Sequence, residues 1–450
     1  MKVNRYLLGS TLVAALGAFL FGFDTAVISG ATEALRHVFQ LTSGQLGFTV
    51  ASALIGTLAG SLAAGKPAEL LGRKRTLMGL AVFYFVSALG CGFAWNWTAL
   101  IVFRVIGGIA IGGTSVVSPM YIAEIAPPEA RGRLVAVSQL NIVAGILAAY
   151  SSNYGITALL SSPMAAEGGA SAAWRWMLGI VAVPAALFFL FVLHIPESPR
   201  WLVKRHRREE AREVLRKLGN EETERVLKEI VESLHEETVS TNERFFQRKY
   251  LRPILLALMV ATFNQMSGIN ALIYYTADIF RMAGAKQASA LFQSVILGLT
   301  SLVFTLVAMS VIDRFGRKRL LMIGAAGLAI CLAITAYAFY NKIGGGWVLG
   351  SLMAYIAFFA FSQGSVIWVF LSEIFPNRVR ARGQALGSFV HWFWCAIVSW
   401  TFPVIAEGSG GHAFSLFSSM MILQLLMVWK FLPETKGVSL EQIQHKLGIE

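Results

Sequence analysis

Gly65-Lys66-Pro67-Ala68-Glu69-Leu70-Leu71-Gly72-Arg73-Lys74 lies between two apolar stretches. About 245 residues later, Asp313-Arg314-Phe315-Gly316-Arg317-Lys318 repeats its ending in the same setting. Other matches flank this pair. Glu124 stands seven residues before Arg131, and Glu373 stands seven before Arg380. Pro196-Glu197-Ser198-Pro199-Arg200 closes the first series of hydrophobic segments, and Pro433-Glu434-Thr435-Lys436 closes the second. A block of membrane segments written twice is the plan of many transporters, because two similar bundles can rock about a shared central site.

The bulk composition agrees. Of 450 residues, 56% are hydrophobic and only 14% charged, too apolar for an ordinary soluble domain. The hydrophobics come in runs of about 20, the length a helix needs to cross roughly 30 Å of hydrocarbon. Alternating outer-membrane strand patterns are missing, so the spanning elements are expected to be helices. Runs and breaks place twelve, at 6–28, 45–65, 77–94, 99–123, 132–154, 174–194, 251–281, 289–312, 319–340, 348–374, 383–406 and 412–432. The expected architecture is an all-α membrane protein: a six-helix bundle over 1–195, a cytoplasmic helical linker over 196–250, a second six-helix bundle over 251–435, and a short tail over 436–450.

The formal charge of +13 is a matter of topology. Lys and Arg gather in alternate loops (Arg73, Lys74 and Arg75; Arg131 and Arg133; 196–252; Arg314, Arg317, Lys318 and Arg319; Arg378, Arg380 and Arg382), while the opposite loops offer little beyond Arg36, Arg175, Arg281, Lys286 and Lys342. By the positive-inside rule both termini and the long central loop are cytoplasmic, and no nucleic-acid partner is implied. Cys91, Cys331 and Cys395 lie far apart in apolar segments, without metal-ligand spacing, and read as small buried hydrophobes. The opening apolar stretch is too long for a signal peptide and contains Asp24, so it reads as a retained first helix.

Within the linker, Asn220 is placed to cap a helix whose first turn carries Glu221 and Glu222. Leu227, Ile230, Val231 and Leu234 then give that helix one apolar face. Gly56, Gly60, Gly107, Gly108, Gly112 and Gly113 sit inside spans, where small residues let helix backbones approach closely. Gly268 and Gly364 instead stand among polar residues, where broken helices are expected.

Three groups of residues carry chemistry. Asp24 lies deep in the first span, where a carboxylate costs roughly 2.5–3.5 kcal/mol and needs a partner, a proton or water. Arg104 in the fourth span is the natural partner, because both fall in the outer half of the membrane at 1.5 Å per residue. The pair supplies either a structural ion pair or the parts of a proton switch. The second group is polar and uncharged: Gln139, Asn264, Gln265, Asn270, Tyr274, Trp368 and His391. Amides both donate and accept, which suits a neutral ligand with several hydroxyls, and Trp offers a flat face to the C–H side of a sugar ring. The third group is a cytoplasmic gate network of helix-end acids, Glu69, Glu124, Asp313 and Glu373, with Arg73, Arg131, Arg317 and Arg380 within reach in adjoining loops. No phosphate-cradling loop, metal cluster or nucleophile–base pair suggests an enzyme, and no cofactor is expected beyond the proton as coupling ion.

At Phe21-Gly22-Phe23-Asp24-Thr25-Ala26-Val27-Ile28-Ser29-Gly30, Arg104 with Gly107-Gly108, Tyr121-Ile122-Ala123-Glu124, Arg131-Gly132, Pro196 to Leu202, Gly268-Ile269-Asn270 with Tyr274-Tyr275, Asp313 to Lys318, Glu373-Ile374-Phe375-Pro376 and Pro433 to Gly437, the chain resembles the sugar porter family of the major facilitator superfamily. The motifs stand in family order over nearly the whole length, most like bacterial xylose–proton and glucose–proton symporters. The resemblance implies two six-helix bundles with alternating access to one sugar. It puts Gln139, Gln265, Asn270, Tyr274 and Trp368 against that sugar, Asp24 at the acidic position of proton-coupled members, and Arg104 as its partner. Four positions depart from the family pattern. Asn264 replaces the first of two adjacent Gln, Ser301 stands where relatives often have Asn, His391 where they often have Gln or Asn, and Leu70 where the loop motif usually has Arg.

The expectation is therefore a monosaccharide–proton symporter of the inner (plasma) membrane, working as a monomer on a hexose or pentose. A facilitative uniporter on the same fold is the alternative, and a non-transporting sugar sensor is a more distant one.

Overall fold

The structure, a computed structural model, describes residues 4–127, 130–160, 169–220, 222–239, 245–376 and 379–436. Among them are twelve helical segments long and apolar enough to cross a membrane: Arg5–Val38, Ser43–Leu70, Arg73–Gly92, Trp97–Ile125, Gly132–Leu160, Ala172–Val192, Arg248–Tyr274, Gln287–Met309, Arg317–Tyr340, Gly346–Leu371, Arg382–Ile405 and Gly410–Phe431. They are called spans one to twelve below. No β-strand occurs among the described residues. The twelve expected spans are all present.

The largest boundary differences have local causes. Span one continues past the expected end at 28 to Val38, carrying Glu33 and Arg36 beyond the apolar run. Its Glu33 carboxylate is taken up there by Arg281. Span seven is not one rod. Leu251–Met266 stops at Ser267, Gly268 adopts a left-handed conformation (φ 83°), and the chain resumes as Ile269–Tyr274 and then Thr276–Met282. Only glycine takes that φ without strain, and a Cβ there would also strike the Phe417 ring. The broken turn is satisfied internally: Tyr355 Oη donates to the Ser267 carbonyl at 2.9 Å, and Ser267 Oγ donates to the Asn264 carbonyl at 2.6 Å. In span ten the break comes at Ser362 (φ −112°, ψ −92°), while Gly364 lies inside the next helix, Gln363–Glu373. The expected break at Gly364 is thus corrected by two residues.

The chain forms two compact units. The first comprises the described residues of Met1–Ala31, Ser52–Ser152 and Leu159–Asn242; the second those of Thr32–Ala51, Asn153–Ala158 and Glu243–Glu450. These boundaries differ from the expected 195 and 250. The linker helices join the first unit because they dock on it. Trp201 Nε1 and Arg205 Nη2 donate to the Glu69 carbonyl at 2.8 and 3.1 Å, and Asn4 Nδ2 donates to the Lys217 carbonyl at 2.8 Å. The linker helix runs Thr223–Val239, and its Leu227 packs with Trp201, Leu202, Val203, Ala211 and Leu215. Asn220 precedes it, accepting from the Glu222 backbone N–H at 3.2 Å. Glu221 and the tail beyond Lys436 lie outside the described residues.

In the first unit, close approach of backbones does the packing that hydrophobic burial cannot drive in lipid. A Cβ on Gly108 of span four would run into the Ala53 carbonyl of span two, and one on Gly22 of span one into the Ile142 carbonyl of span five. In the second unit, spans seven, ten and eleven share a core of Ile254, Ala257, Val260, Ala261, Val366, Ile367, Phe370 and Val390. That core fixes the faces on which the polar residues of these spans stand.

Candidate transport site

Asp24 and Arg104 meet in the first unit. Arg104 Nη1 lies 3.8 Å from Asp24 Oδ2, with the two side chains 1% and 14% exposed. That is an ion pair without a direct hydrogen bond. Arg104 Nε and Nη2 are buried and find no hydrogen-bond partner among the described residues. A guanidinium so poorly paired is unusual, since an unmet buried donor costs about 1–3 kcal/mol. A small movement or a water molecule would relieve it.

The uncharged polar set divides between the units. Gln139 is half-buried on span five. The others gather in the second unit as a connected array. Asn264 Nδ2 donates to the Gln363 backbone carbonyl at 3.3 Å, and Asn264 Oδ1 accepts from Gln265 Nε2 at 3.0 Å. Gln265 Oε1 accepts from Asn270 Nδ2 at 2.7 Å, and Gln265 Nε2 lies 3.1–3.2 Å from both ring nitrogens of His391. The Trp368 ring is 5.1 Å from the His391 ring. Gln265 and Asn264 are buried, at 0% and 2% exposed, whereas Trp368 is 40% exposed. The amide of Gln265 is therefore spent on its neighbours, while Trp368, His391 and Asn270 retain open surface. Tyr274 is buried on the short helix after the break.

Each unit also holds an Arg–Glu device, and the two stand at corresponding places in the repeated sequence. In the first, Arg73 grips Glu124 with two bonds, Nε to Oε2 at 2.9 Å and Nη2 to Oε1 at 2.6 Å. In the second, Arg317 Nη2 donates to Glu373 Oε1 at 3.0 Å, and Thr435 Oγ1 donates to Glu373 Oε2 at 2.6 Å. Glu69 has a looser ion pair with Lys204 at 3.5 Å. Arg380 donates to the Phe375 carbonyl at 3.4 Å, so Glu373 is held by Arg317 and Thr435 instead. The side chains of Arg131 and Asp313 lie outside the described residues.

Sequence reasoning noticed Glu197 and Glu434 but gave them no task. Each carboxylate receives the first backbone N–H groups of a span. Glu197 Oε1 accepts from Arg73, Lys74 and Ser198 at 2.9, 3.1 and 2.9 Å. Glu434 accepts from Arg317, Lys318, Thr435 and Lys436 at 2.8, 3.2, 3.0 and 3.1 Å. An acid at a helix N-terminus meets both orphan donors and the positive end of the dipole. The preceding glycines, Gly72 (φ 97°) and Gly316 (φ 86°), leave room for the carboxylate as well as making the turn. Burial pushes the Glu197 carboxyl up, and its N–H donors only partly offset this. Burial also acts on Glu434, but there four backbone donors prevail and hold the carboxyl below its ordinary range.

Two further features had no sequence signal strong enough to read. Arg281 is shared by Glu33 and Asp278 at the opposite end of the second unit, beside a cavity of about 800 Å³ that Tyr275 and Phe402 also line. Behind the polar array, Gln363 Nε2 donates to Gln424 Oε1 at 2.5 Å. Among the described residues no cluster of His, Cys, Asp or Glu is placed to hold a metal.

Twelve spans in two units, each carrying an Arg–Glu pair and a carboxylate cap at corresponding places in the repeated sequence, are the build of a major facilitator carrier. The family described as "Sugar (and other) transporter" matches residues 10–447, and the chain belongs to that family. It is a multi-pass membrane transporter and not an enzyme. The chain is 38% identical to the D-xylose-proton symporter of Escherichia coli K12, over 98% of this chain and 96% of that one. It is 36% identical to the glucose transport protein of Synechocystis, over 96% and 95%. With the arabinose-proton symporter of Bacillus subtilis it shares 35% identity over 97% and 94%. The inward-open structure of the E. coli xylose transporter XylE superposes with a TM-score of 0.88 at 36% identity, covering 98% of this chain and all of that one.

Proposed function

We propose that this protein imports a monosaccharide, hexose or pentose, by proton symport across the inner (plasma) membrane, with both termini cytoplasmic and the monomer as the working unit. The observation that carries the coupling is Asp24 beside an under-bonded Arg104 within the membrane. Protonation removes the charge of Asp24 and weakens its hold on Arg104. The guanidinium is then free to seek other acceptors, and the conformation competent for sugar is favoured. Relatives described as xylose–proton and arabinose–proton symporters support this reading.

Trp368, His391 and Asn270 are assigned to the sugar together with Gln139, with Gln265, Asn264 and Tyr274 organising them. The Arg73–Glu124 and Arg317–Glu373 pairs, with Glu69, Arg131, Asp313 and Arg380, are assigned to the cytoplasmic gate. The test is Asp24→Asn in proteoliposomes under an imposed pH gradient. Uphill accumulation is expected to vanish while labelled sugar still equilibrates. Accumulation equal to the parent's removes the proton role, and indifference of the parent to the gradient leaves a facilitative uniporter.

A further inference from the structure

The hydrogen bonds around Gln265 have a direction that can be read from one end. The backbone carbonyl of Gln363 can only accept, so the group Asn264 turns toward it, 3.3 Å away, is the NH2. Asn264 then offers its oxygen to Gln265, and only the Gln265 NH2 can satisfy that oxygen, at 3.0 Å. With its nitrogen committed there, Gln265 presents its oxygen to Asn270, whose NH2 donates at 2.7 Å. Every amide orientation follows from a carbonyl that has no alternative role. The second N–H of Gln265 points to His391, at 3.1–3.2 Å from the ring nitrogens.

His391 therefore faces a donor. The Gln265 nitrogen is nearly equidistant from both ring nitrogens and so stands over the ring, where a neutral imidazole presents π density to its N–H. An imidazolium has two N–H donors and no acceptor, and its positive ring opposes the positive edge of the amide. We infer that His391 works as the neutral ring that terminates this relay beneath the Gln265 N–H, and that protonating it takes the sugar-binding array apart. Resting on the sugar-site assignment above, this gives the transporter a second protonation site, opposite in sign to Asp24.

Among the described residues of the helices packed on His391's own, no carboxylate stands at the level of the ring to offset a positive charge. The helices packed on Arg380–Ile405 are Leu251–Met266, Ile269–Tyr274, Gln363–Glu373 and Gly410–Phe431. Their charged and titratable groups, Arg252, Glu373, His412 and Lys430, stand toward the helix ends, as do Arg380 and Arg382 on His391's own helix. Tyr274 and Cys395, the other titratable side chains at this level, are of types that stay neutral in this pH range. Trp368 and Trp392 lie 5.1 and 5.2 Å from the ring at 53° and 87°, uncharged rings whose attraction for a cation is weak beside that of a carboxylate.

The experiment is equilibrium binding of D-glucose and D-xylose to the purified protein in nanodiscs from pH 8 to pH 3.5, for the parent, His391→Gln and His391→Lys. Gln keeps a carbonyl that can accept from Gln265; Lys has donors only. In the parent, Kd should rise on the acid side, steepening toward about tenfold per pH unit below the ring's own pKa. In His391→Gln that acid weakening should disappear, leaving affinity that improves as Asp24 takes its proton. At pH 7.5 His391→Lys should bind at least tenfold more weakly than His391→Gln. A parent Kd flat across the range, an acid weakening that persists in His391→Gln, or a Lys variant as tight as the Gln variant overturns the inference. If the Lys variant does not fold, the parent–Gln comparison decides alone. Absence of saturable binding of either sugar to the parent at every pH sinks the sugar-site reading instead.

Discussion

Removing one acid from the first gate pair should loosen a defined stretch of chain. Arg73 is 7% exposed and its guanidinium has two kinds of partner: two bonds to Glu124, at 2.6 and 2.9 Å, and one to the Ala68 carbonyl at 3.1 Å. Glu124→Gln removes the charge and leaves at most one acceptor oxygen in the same place. Breaking a buried pair from one side costs about 3–5 kcal/mol, because a charge stays buried without its partner. With each side chain about a tenth exposed, and an amide oxygen remaining, about 2–3 kcal/mol is the appropriate share, or roughly a 30- to 150-fold rise in local opening. The assay is amide hydrogen exchange of peptides covering Gly65–Lys74 in nanodiscs, where exchange reports opening directly. Exchange there should accelerate by that factor, while peptides of span nine stay as in the parent. Arg73→Met/Glu124→Gln should recover part of the protection, because no charge is left stranded. Acceleration below threefold in Glu124→Gln, or a double variant worse than the single, refutes the reasoning.

Two other outcomes follow from the same geometry. Trp368→Ala and Gln265→Ala should each weaken sugar binding at least tenfold by isothermal titration, the first by loss of the open ring face and the second by releasing Asn270 and His391; parent-like binding in both would show the pocket to be misplaced. The two caps should also respond to acid in opposite directions. The Glu434 carboxyl is held low, so its contribution is present above the unfolded-state value near pH 4.3 and is lost as pH falls through the folded value. The Glu197 carboxyl is held high, so ionising it works against folding, and its contribution is present at low pH and lost as pH rises through the folded value. The difference in unfolding midpoint between parent and Glu434→Gln should shrink from pH 7 to pH 4, and that between parent and Glu197→Gln should move in favour of the parent. Parallel pH profiles would contradict the assignment.

The spans were legible because a bilayer enforces one length and one kind of residue, so runs such as 319–340 need no tertiary information. The break at Gly268 was legible as well, since a glycine among amides inside a span has few other uses. Partnerships across loops were not. Seven residues separate Glu124 from Arg131 and Glu373 from Arg380, yet Glu124 takes Arg73 and Glu373 takes Arg317, because helix packing and not chain distance sets who is near. Nor could composition tell that Gln265, the most obvious hydroxyl-binding amide, is itself enclosed and occupied by three neighbours. The span-ten break was displaced for a similar reason: Ser362, not the glycine after it, carries the irregular turn.

The carboxylate caps carry a consequence for biosynthesis. The acceptor for the opening turn of span three, Glu197, lies 124 residues downstream of Arg73, and that for span nine, Glu434, lies 117 downstream of Arg317. A ribosome therefore delivers each of these turns long before the side chain that completes it. Until the polypeptide emerging behind spans six and twelve swings back, both turns must rely on water or headgroups. Shortening the chain just ahead of Glu434 would consequently be felt not at the new end but four membrane crossings earlier, at the mouth of span nine.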